Sequence, residues 1–383
     1  MRVGFNARLL HSPDSRGWNR YTVDLLAALP ALGVEPVLYS DRPIHPVHLA
    51  RLPEGTYRVS VGAVKPHAIW EQFWLPHQCG RDRVAVLHTP ANFGLPCSSP
   101  CPRVLTLHDA IDQVYYAPRA RSGARWKPAA LRGRLAHWSA RTRAHRLITV
   151  SMHARGDLVE RLGVPAEKVR VIPLAADATF LEPVSPAVRE RVLTQLELTH
   201  PYIFYVGGWD PRKNVPFLLL AFAAAGNDLM GVDLVLAGGR DVERATLCEL
   251  ATALGVQDRL RLLGWVDDAD LPALYAEAQA FVYPSEYEGF GLQLCEAMAM
   301  GCPVLAARAT SLPEVLGGGG ETFGLESADE LAGLLRRVVL EPYYRDELCR
   351  RARVRSADFS WTRTAAATLA VYREFETADT AVP

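Results

Sequence analysis

Short apolar, β-branched runs alternate with helix-period stretches from one end of this chain to the other, and few folds can accommodate that pattern. Strands separated by helices pair in parallel, and a parallel sheet needs helices over both of its faces. The predicted strands of the first half are 2–6, 36–39, 58–61, 84–88, 103–107, 147–150 and 169–173, with helices at 18–32, 119–144 and 152–162. In the second half the strands are 202–206, 233–237, 259–263, 280–283 and 304–307. Helices are expected there at 215–225, 241–254, 270–278 and 291–300, with Asn214 and Asp270 as N-caps. A chain of 383 residues exceeds one hydrophobic core and suits two domains. The regular pattern lapses over 177–186. The expectation is therefore α/β: two Rossmann-like, doubly wound domains over 1–182 and 183–362, with an Ala-rich final helix after Trp361.

Composition removes several function classes. Lys plus Arg and Asp plus Glu both number 42, so no net charge steers the chain onto nucleic acid. No apolar run reaches the ~18 residues of a membrane span, and residues 1–6 read as a strand rather than a signal peptide. Seven scattered cysteines fit reduced thiols in a cytoplasm. Cys97 and Cys101 are close but lack the second pair that a zinc site requires. No metal and no cofactor are expected.

The densest chemistry lies in 283–304, Tyr-Pro-Ser-Glu-Tyr-Glu-Gly-Phe-Gly-Leu-Gln-Leu-Cys-Glu-Ala-Met-Ala-Met-Gly-Cys-Pro-Val. A strand runs into a Gly-rich loop, then a helix, then another strand. Glu288 and Glu296 bracket the loop-to-helix junction with seven residues between them. Glu296 sits among Leu292, Leu294, Cys295, Met298 and Ala299. A carboxylate buried there needs hydrogen-bond donors, and a sugar diol is one source. The N–H groups opening the helix near Phe290 and Gly291 favour an anion, and Gly301 with Pro303 ends it.

This segment resembles the paired-glutamate signature of retaining, nucleotide-sugar-dependent glycosyltransferases of the GT-B fold, family 4. The resemblance implies that the two domains face a cleft, with the final helix (363–376) returning to the first, acceptor-binding domain and nucleotide sugar held by the second. It implies Glu288 on the donor hexose hydroxyls, Glu296 on the ribose, and Gly289, Phe290, Gly291 and Leu292 facing the diphosphate. Gly207-Gly208-Trp209-Asp210-Pro211-Arg212-Lys213-Asn214 follows a strand, as the family's phosphate loop does. Gly208 stands where many relatives have arginine, so Lys213, with Arg212, carries the phosphate charge; a solvated loop is the plainer reading. Val266, in Gly264-Trp265-Val266-Asp267-Asp268, corresponds to the loop whose main chain meets the base. Asp267, Asp268 and Asp270 read as helix caps, not a metal clasp. Thr310-Ser311-Leu312-Pro313-Glu314-Val315 resembles a segment near the donor.

In the first half, Gly17 opens a helix and could offer an N–H to phosphate, with Trp18 either walling the cleft or packing. His108-Asp109 resembles the family's His-Asp element, with His108 donating to a hexose hydroxyl or steadying charge. His88, also at a strand end, and Asp109 are acceptor or cleft candidates. The stretch 119–146 carries nine Arg or Lys and no Asp or Glu. It reads either as peripheral contact with the inner membrane face or a lipid-linked acceptor, or as an ordinary amphipathic helix. The implied activity is hexosyl transfer from a GDP- or UDP-sugar to a sugar, lipid-linked or small-molecule acceptor, in polysaccharide, glycolipid or natural-product glycoside synthesis. A nucleotide-sugar epimerase or hydrolase, or a non-catalytic binder, on the same scaffold are the alternatives.

Overall fold

Parallel pairing runs through both sheets of the computed structural model, which describes residues 1–14, 17–119 and 138–376. The first sheet contains β1 (Arg2–Asn6), β2 (Glu35–Ser40), β3 (Arg58–Val61), β4 (Val86–Thr89), β5 (Arg103–Thr106), β6 (Arg146–Thr149) and β7 (Val169–Val171). Its order is β3-β2-β1-β4-β5-β6-β7. The second contains β8 (Tyr202–Gly207), β9 (Asp233–Gly238), β10 (Leu260–Gly264), β11 (Ala280–Tyr283), β12 (Val304–Ala307) and β13 (Glu321–Phe323), in the order β10-β9-β8-β11-β12-β13. In each sheet the chain builds outward, then returns past its first strand and builds the other way.

The reversal points decide where chemistry can collect. β1 lies against β4, pairing Phe5 with His88, and β8 lies against β11, pairing Phe204 with Phe281. At such a point the two following connections leave in opposite directions, and the strand ends stay open to ligands. Helices on both faces make the central strands uniformly apolar: Phe5, Val86, Leu87, Ile203, Phe204, Phe281 and Val282 are inaccessible to solvent. β3, at a sheet edge, leaves Val59 and Val61 exposed.

The chain forms two compact units, Met1–Leu174 together with the segment from Ser360, and Ala175–Phe359. The division precedes the irregular stretch 177–186, because Phe180 packs edge to face on Tyr275, with centroids 5.8 Å apart, inside the second unit. The last helix, Trp361–Arg373, completes the first unit. Ser360 caps it by accepting from the Arg363 N–H at 3.2 Å. Thr364 donates to the Pro173 carbonyl at 2.8 Å, and Glu374 pairs with Arg146 and Arg170 at 2.5 and 2.9 Å.

Local expectations differ from the structure for identifiable reasons. The first helix spans Trp18–Ala28, short of 32: Leu29 keeps helical backbone, but Pro30 has no N–H to continue the ladder, and the chain tightens into a 3-10 turn over Pro30–Leu32. Asn214 precedes the helix Val215–Ala225 but makes no side-chain cap; it takes left-handed φ and ψ of 52° and 36° and turns the chain. Asp270 also makes no cap and instead accepts from Arg191 at 2.8 Å. β13 and the helices Pro186–Gln195, Ala328–Leu340 and Pro342–Ser356 add to the elements expected. Pro186–Gln195 buries Val192 alone, so it carries almost no apolar period. Most of the expected helix 119–144 lies outside the described residues.

Candidate functional site

β11 delivers the paired-glutamate loop. The helix that follows spans Leu292–Ala299, capped by Gly291 at φ 94° and ψ 60°. A side chain at Gly291 would adopt that conformation poorly, and its Cβ would lie 2.8 Å from Leu312 Cδ2. At the other end the Gly301 N–H donates to Met298 O and the Cys302 N–H to Ala297 O, at 3.0 and 2.9 Å, the Schellman closure expected of a glycine there. Leu292 begins the helix, while Gly289, Phe290 and Gly291 form the buried turn before it.

β8 and β11 are adjacent, so residues 75 apart in sequence meet. Lys213 Nζ and Arg212 Nη1 both lie 2.7 Å from Glu288 Oε1. Lys213 and Glu288 are each 7% exposed. Arg212 Nη1 also donates to the Tyr287 carbonyl at 2.9 Å, and its Nε lies 3.5 Å from the partly exposed Asp210. Lys213 donates a second bond to Tyr283 Oη at 2.7 Å, and Tyr283 passes its own proton to Gln293 Oε1 at 2.9 Å. Burial pushes the Glu288 pKa up, but Lys213 and Arg212 outweigh it and hold the carboxyl below its ordinary range. Burial lowers the Lys213 pKa, Glu288 partly restores it, and Arg212 lowers it again. The cluster sets two cations, Arg212 and Lys213, against two carboxylates, the buried Glu288 and the partly exposed Asp210. The sequence reading had sent Glu288 to a sugar and the cations to phosphate, without foreseeing that all three touch.

Glu296 is 3% exposed, as its apolar surroundings imply. Its Oε2 accepts from the Tyr275 hydroxyl at 3.0 Å. Burial of Glu296 therefore does not by itself demand a ligand, and this corrects the sequence argument. Tyr275 lies on the helix Leu271–Glu277, where nothing in the local pattern signalled it as a partner.

Around the phosphate-loop candidates, Tyr205 donates to the Gly208 carbonyl at 2.6 Å and so fixes the turn through Gly207 and Gly208. The Trp209 ring packs under the turn after β9, where a Cβ on Gly239 (φ 72°) would fall 2.0 Å from it. Gly238 and Gly239 were missed from sequence, although a glycine pair after a strand was a signal. Val266 has its side chain buried beside the exposed Trp265.

In the first unit, His108 follows β5 and is 6% exposed. Its Nε2 lies 3.1 Å from the Pro90 carbonyl, which can only accept, so Nε2 carries the proton. Burial pushes its pKa down to about 4, against the raising effect of Pro90, and leaves a neutral ring with Nδ1 as acceptor. The expected donation to a sugar hydroxyl is corrected accordingly, since the ring proton is already engaged. Trp18 is half-buried, edge-on to Phe93 at 5.3 Å and 6.3 Å from the His108 ring. Gly17 is exposed at the start of the helix Trp18–Ala28. Asp109 accepts from the Ile111 N–H at 3.1 Å.

His88 is corrected more fully. It is inaccessible, and both ring nitrogens are engaged, Nδ1 with Tyr372 Oη at 2.6 Å and Nε2 with Thr106 Oγ1 at 2.8 Å. Tyr21 reaches the same Thr106 at 2.9 Å. His88 joins the last helix to the sheet rather than lining a cleft. Cys101 is buried in one apolar cluster with Cys79 and so does not face Cys97 as a ligand partner. Of the basic stretch, 120–137 lies outside the described residues; Arg143 stacks over Trp138 at 5.1 Å. Among the described residues no helix is long and apolar enough to cross a membrane.

Two family models match the chain, Glycosyltransferase Family 4 over residues 15–180 and Glycosyl transferases group 1 over 189–355. The chain is 31% identical to O-antigen chain mannosyltransferase B of Escherichia coli over 79% of its length and 72% of that protein's. It is 34% identical to the MMP alpha-(1->4)-mannosyltransferase of Mycolicibacterium hassiacum, over 60% of this chain and 54% of that one. Sucrose-phosphate synthase of Thermosynechococcus elongatus is similar in structure, with a TM-score of 0.75, 21% identity and coverage of 98% of this chain and 99% of that one. Anabaena HepE in complex with UDP matches with a TM-score of 0.74, 20% identity and coverage of 97% and 100%.

The two buried histidines predict a pH dependence. Burial moves His88 to about 3, with a further lowering from His108, and moves His108 to about 4, against an ordinary 6.5. Both folded values lie below the unfolded one, so the unfolded chain takes up protons first as pH falls. Stability should decline from about pH 6.5 toward 4, by roughly a few kcal/mol. Unfolding midpoints measured across that range check this, and His88→Gln should flatten part of the decline.

Proposed function

The chain belongs to the group 1 glycosyl transferases, with a family 4 domain ahead of the group 1 domain and the GT-B fold, and from this we propose a retaining hexosyl transfer from a nucleotide diphosphate sugar to an acceptor hydroxyl. The observation that carries the reading is the buried cluster of Arg212, Lys213 and Glu288 at the β8/β11 reversal point. Its two adjacent cations, beside the turn that opens the helix Leu292–Ala299, suit a diphosphate. The mannosyltransferase names of two relatives favour a mannosyl group, and the UDP complex of HepE keeps UDP-sugars beside GDP-sugars as donors.

In this reading the second domain holds the donor and the first holds the acceptor. Lys213 and Arg212 offset the charge that grows on the departing diphosphate. Gly207, Gly208 and the N–H groups of Gly289, Phe290, Gly291 and Leu292 give it close backbone contacts. Val266 meets the base through its main chain. Glu296 shares itself between Tyr275 and the ribose hydroxyls, and Glu288 accepts from hexose hydroxyls. His108 accepts a hexose hydroxyl through Nδ1, while Trp18 and Asp109 border the acceptor.

Glu288 is a poor candidate for a covalent nucleophile, because two cations engage its Oε1 and draw its charge away from a new bond. The acceptor oxygen therefore attacks from the face that the diphosphate leaves. Its proton passes to a phosphate oxygen as the glycosidic bond forms and the sugar–phosphate bond breaks. The fixed cations supply the charge that a divalent ion would supply elsewhere, so no metal is required. O-antigen-like polysaccharide assembly at the inner membrane face, with contact through 119–146, fits the acceptor side of this proposal.

Lys213→Ala should weaken nucleoside diphosphate binding by about 10- to 100-fold, the loss of a charge-assisted bond. Calorimetric titration with GDP and UDP measures this, and unchanged affinity for both rejects the phosphate role. Glu288→Ala should abolish transfer yet keep nucleotide binding; wild-type turnover would show the donor assignment to be wrong. Turnover should survive dialysis against EDTA, and a loss restored by added Mg²⁺ or Mn²⁺ would contradict the metal-free mechanism.

A further inference from the structure

Three consecutive residues after β12 grip the paired-glutamate loop. Thr310 Oγ1 accepts from the Glu288 backbone N–H at 3.0 Å. The Ser311 hydroxyl lies 3.0 Å from the Glu288 carbonyl and 3.1 Å from the Phe290 carbonyl. It has one proton, which those two acceptors share. Leu312 occupies the space that a side chain on Gly291 would need. Glu288 is thus fixed on both sides of its Cα, by an acceptor for its N–H and a donor for its carbonyl. Its carboxylate is fixed separately, by Lys213 and Arg212.

Thr310 adopts this arrangement at φ 50°, a left-handed conformation that β-branched residues rarely take. Ser311 is inaccessible to solvent. No bond of Thr310 reaches the cations, so its hydroxyl bears on the backbone of Glu288 alone. We propose that Thr310 is a positioning residue for sugar recognition: it sets the backbone from which Glu288 reaches the donor hexose, while diphosphate affinity rests on Lys213, Arg212 and the N–H groups of the turn 289–292. This rests on the donor reading above and adds a division of labour to it. Phosphate binding depends on the loop after β8 and the turn that opens the helix Leu292–Ala299, and sugar discrimination depends on Thr310, which need not touch the sugar.

The division has a distinct signature in binding. A loss of sugar positioning alone removes the affinity difference between a nucleotide sugar and its free nucleoside diphosphate. A general loosening of the domain weakens both together. Thr310→Val keeps the shape and removes the acceptor, leaving the Glu288 N–H without its partner. Thr310→Ser keeps the acceptor and removes the methyl group. Thr310→Gly removes the acceptor and relieves the left-handed conformation.

Calorimetric titration of the full chain and these variants with GDP, GDP-mannose, UDP and UDP-glucose separates the outcomes. The expected result is that Thr310→Val and Thr310→Gly leave nucleoside diphosphate affinity within about twofold of the parent. Both should erase the parent's preference between sugar and free diphosphate, and Thr310→Ser should restore it to within about threefold. If Thr310→Val keeps the parent's preference, or weakens the diphosphate equally, the positioning role is overturned. A Thr310→Ser variant that resembles Thr310→Val also overturns it, because the hydroxyl would then not be what matters. If the parent chain binds none of the four, the donor reading falls, and this inference with it. If Glu288→Ala removes the sugar preference and Thr310→Val does not, the donor reading stands and this inference alone fails.

Discussion

A single carboxylate oxygen, Glu288 Oε1, held at 2.7 Å by both a lysine and an arginine, organises the second domain's open end. Burying those groups separately would be costly, since each ion loses several kcal/mol of hydration. Burying them together is tolerable because Glu288 pairs with both cations, while the Tyr287 carbonyl and the Tyr283 hydroxyl each accept a further bond from them. The arrangement also explains the order of the sequence motifs. A cationic loop after β8 and an acidic loop after β11 can only meet because the sheet reverses between those strands. The same reversal in the first sheet puts β4 beside β1 and places His88 under the last helix instead.

The strand–helix alternation made the α/β class and most strand positions legible, because parallel strands buried on both faces are apolar throughout. Tyr202, Asp233, Ala280 and Val304 all begin strands where the apolar runs begin. Elements held mainly by tertiary contacts were less legible. Pro186–Gln195 buries one residue, and β13 is three residues long, so neither leaves a periodic trace. Ala328–Leu340 does bury Leu331, Leu335 and Val338 at helical spacing, and that signal was available.

At the site, residue identities were easier to read than their partners. Lys213, Arg212 and Glu288 stood out because the loops that carry them resemble the family's phosphate loop and paired-glutamate signature. Their mutual contact could not be read, since it depends on strand order rather than on spacing. Tyr275 as a donor to Glu296 was hidden for the same reason, 21 residues away on another helix. His88 and His108 looked alike in sequence, each near the end of a strand. Their surroundings separate them, for Tyr372 and Thr106 occupy both nitrogens of His88, whereas His108 engages Pro90 through one.

The first domain is discontinuous in the chain. The segment from Ser360 supplies the Tyr372 bond to His88 and the Glu374 pairs with Arg146 and Arg170. During synthesis, the ribosome must finish the whole intervening domain before these contacts can form. The second domain can therefore mature on its own schedule, while the first waits, with His88 and its sheet face uncovered, for the helix made after it. A nascent chain released early would carry its damage in the domain translated first, far upstream of the missing residues.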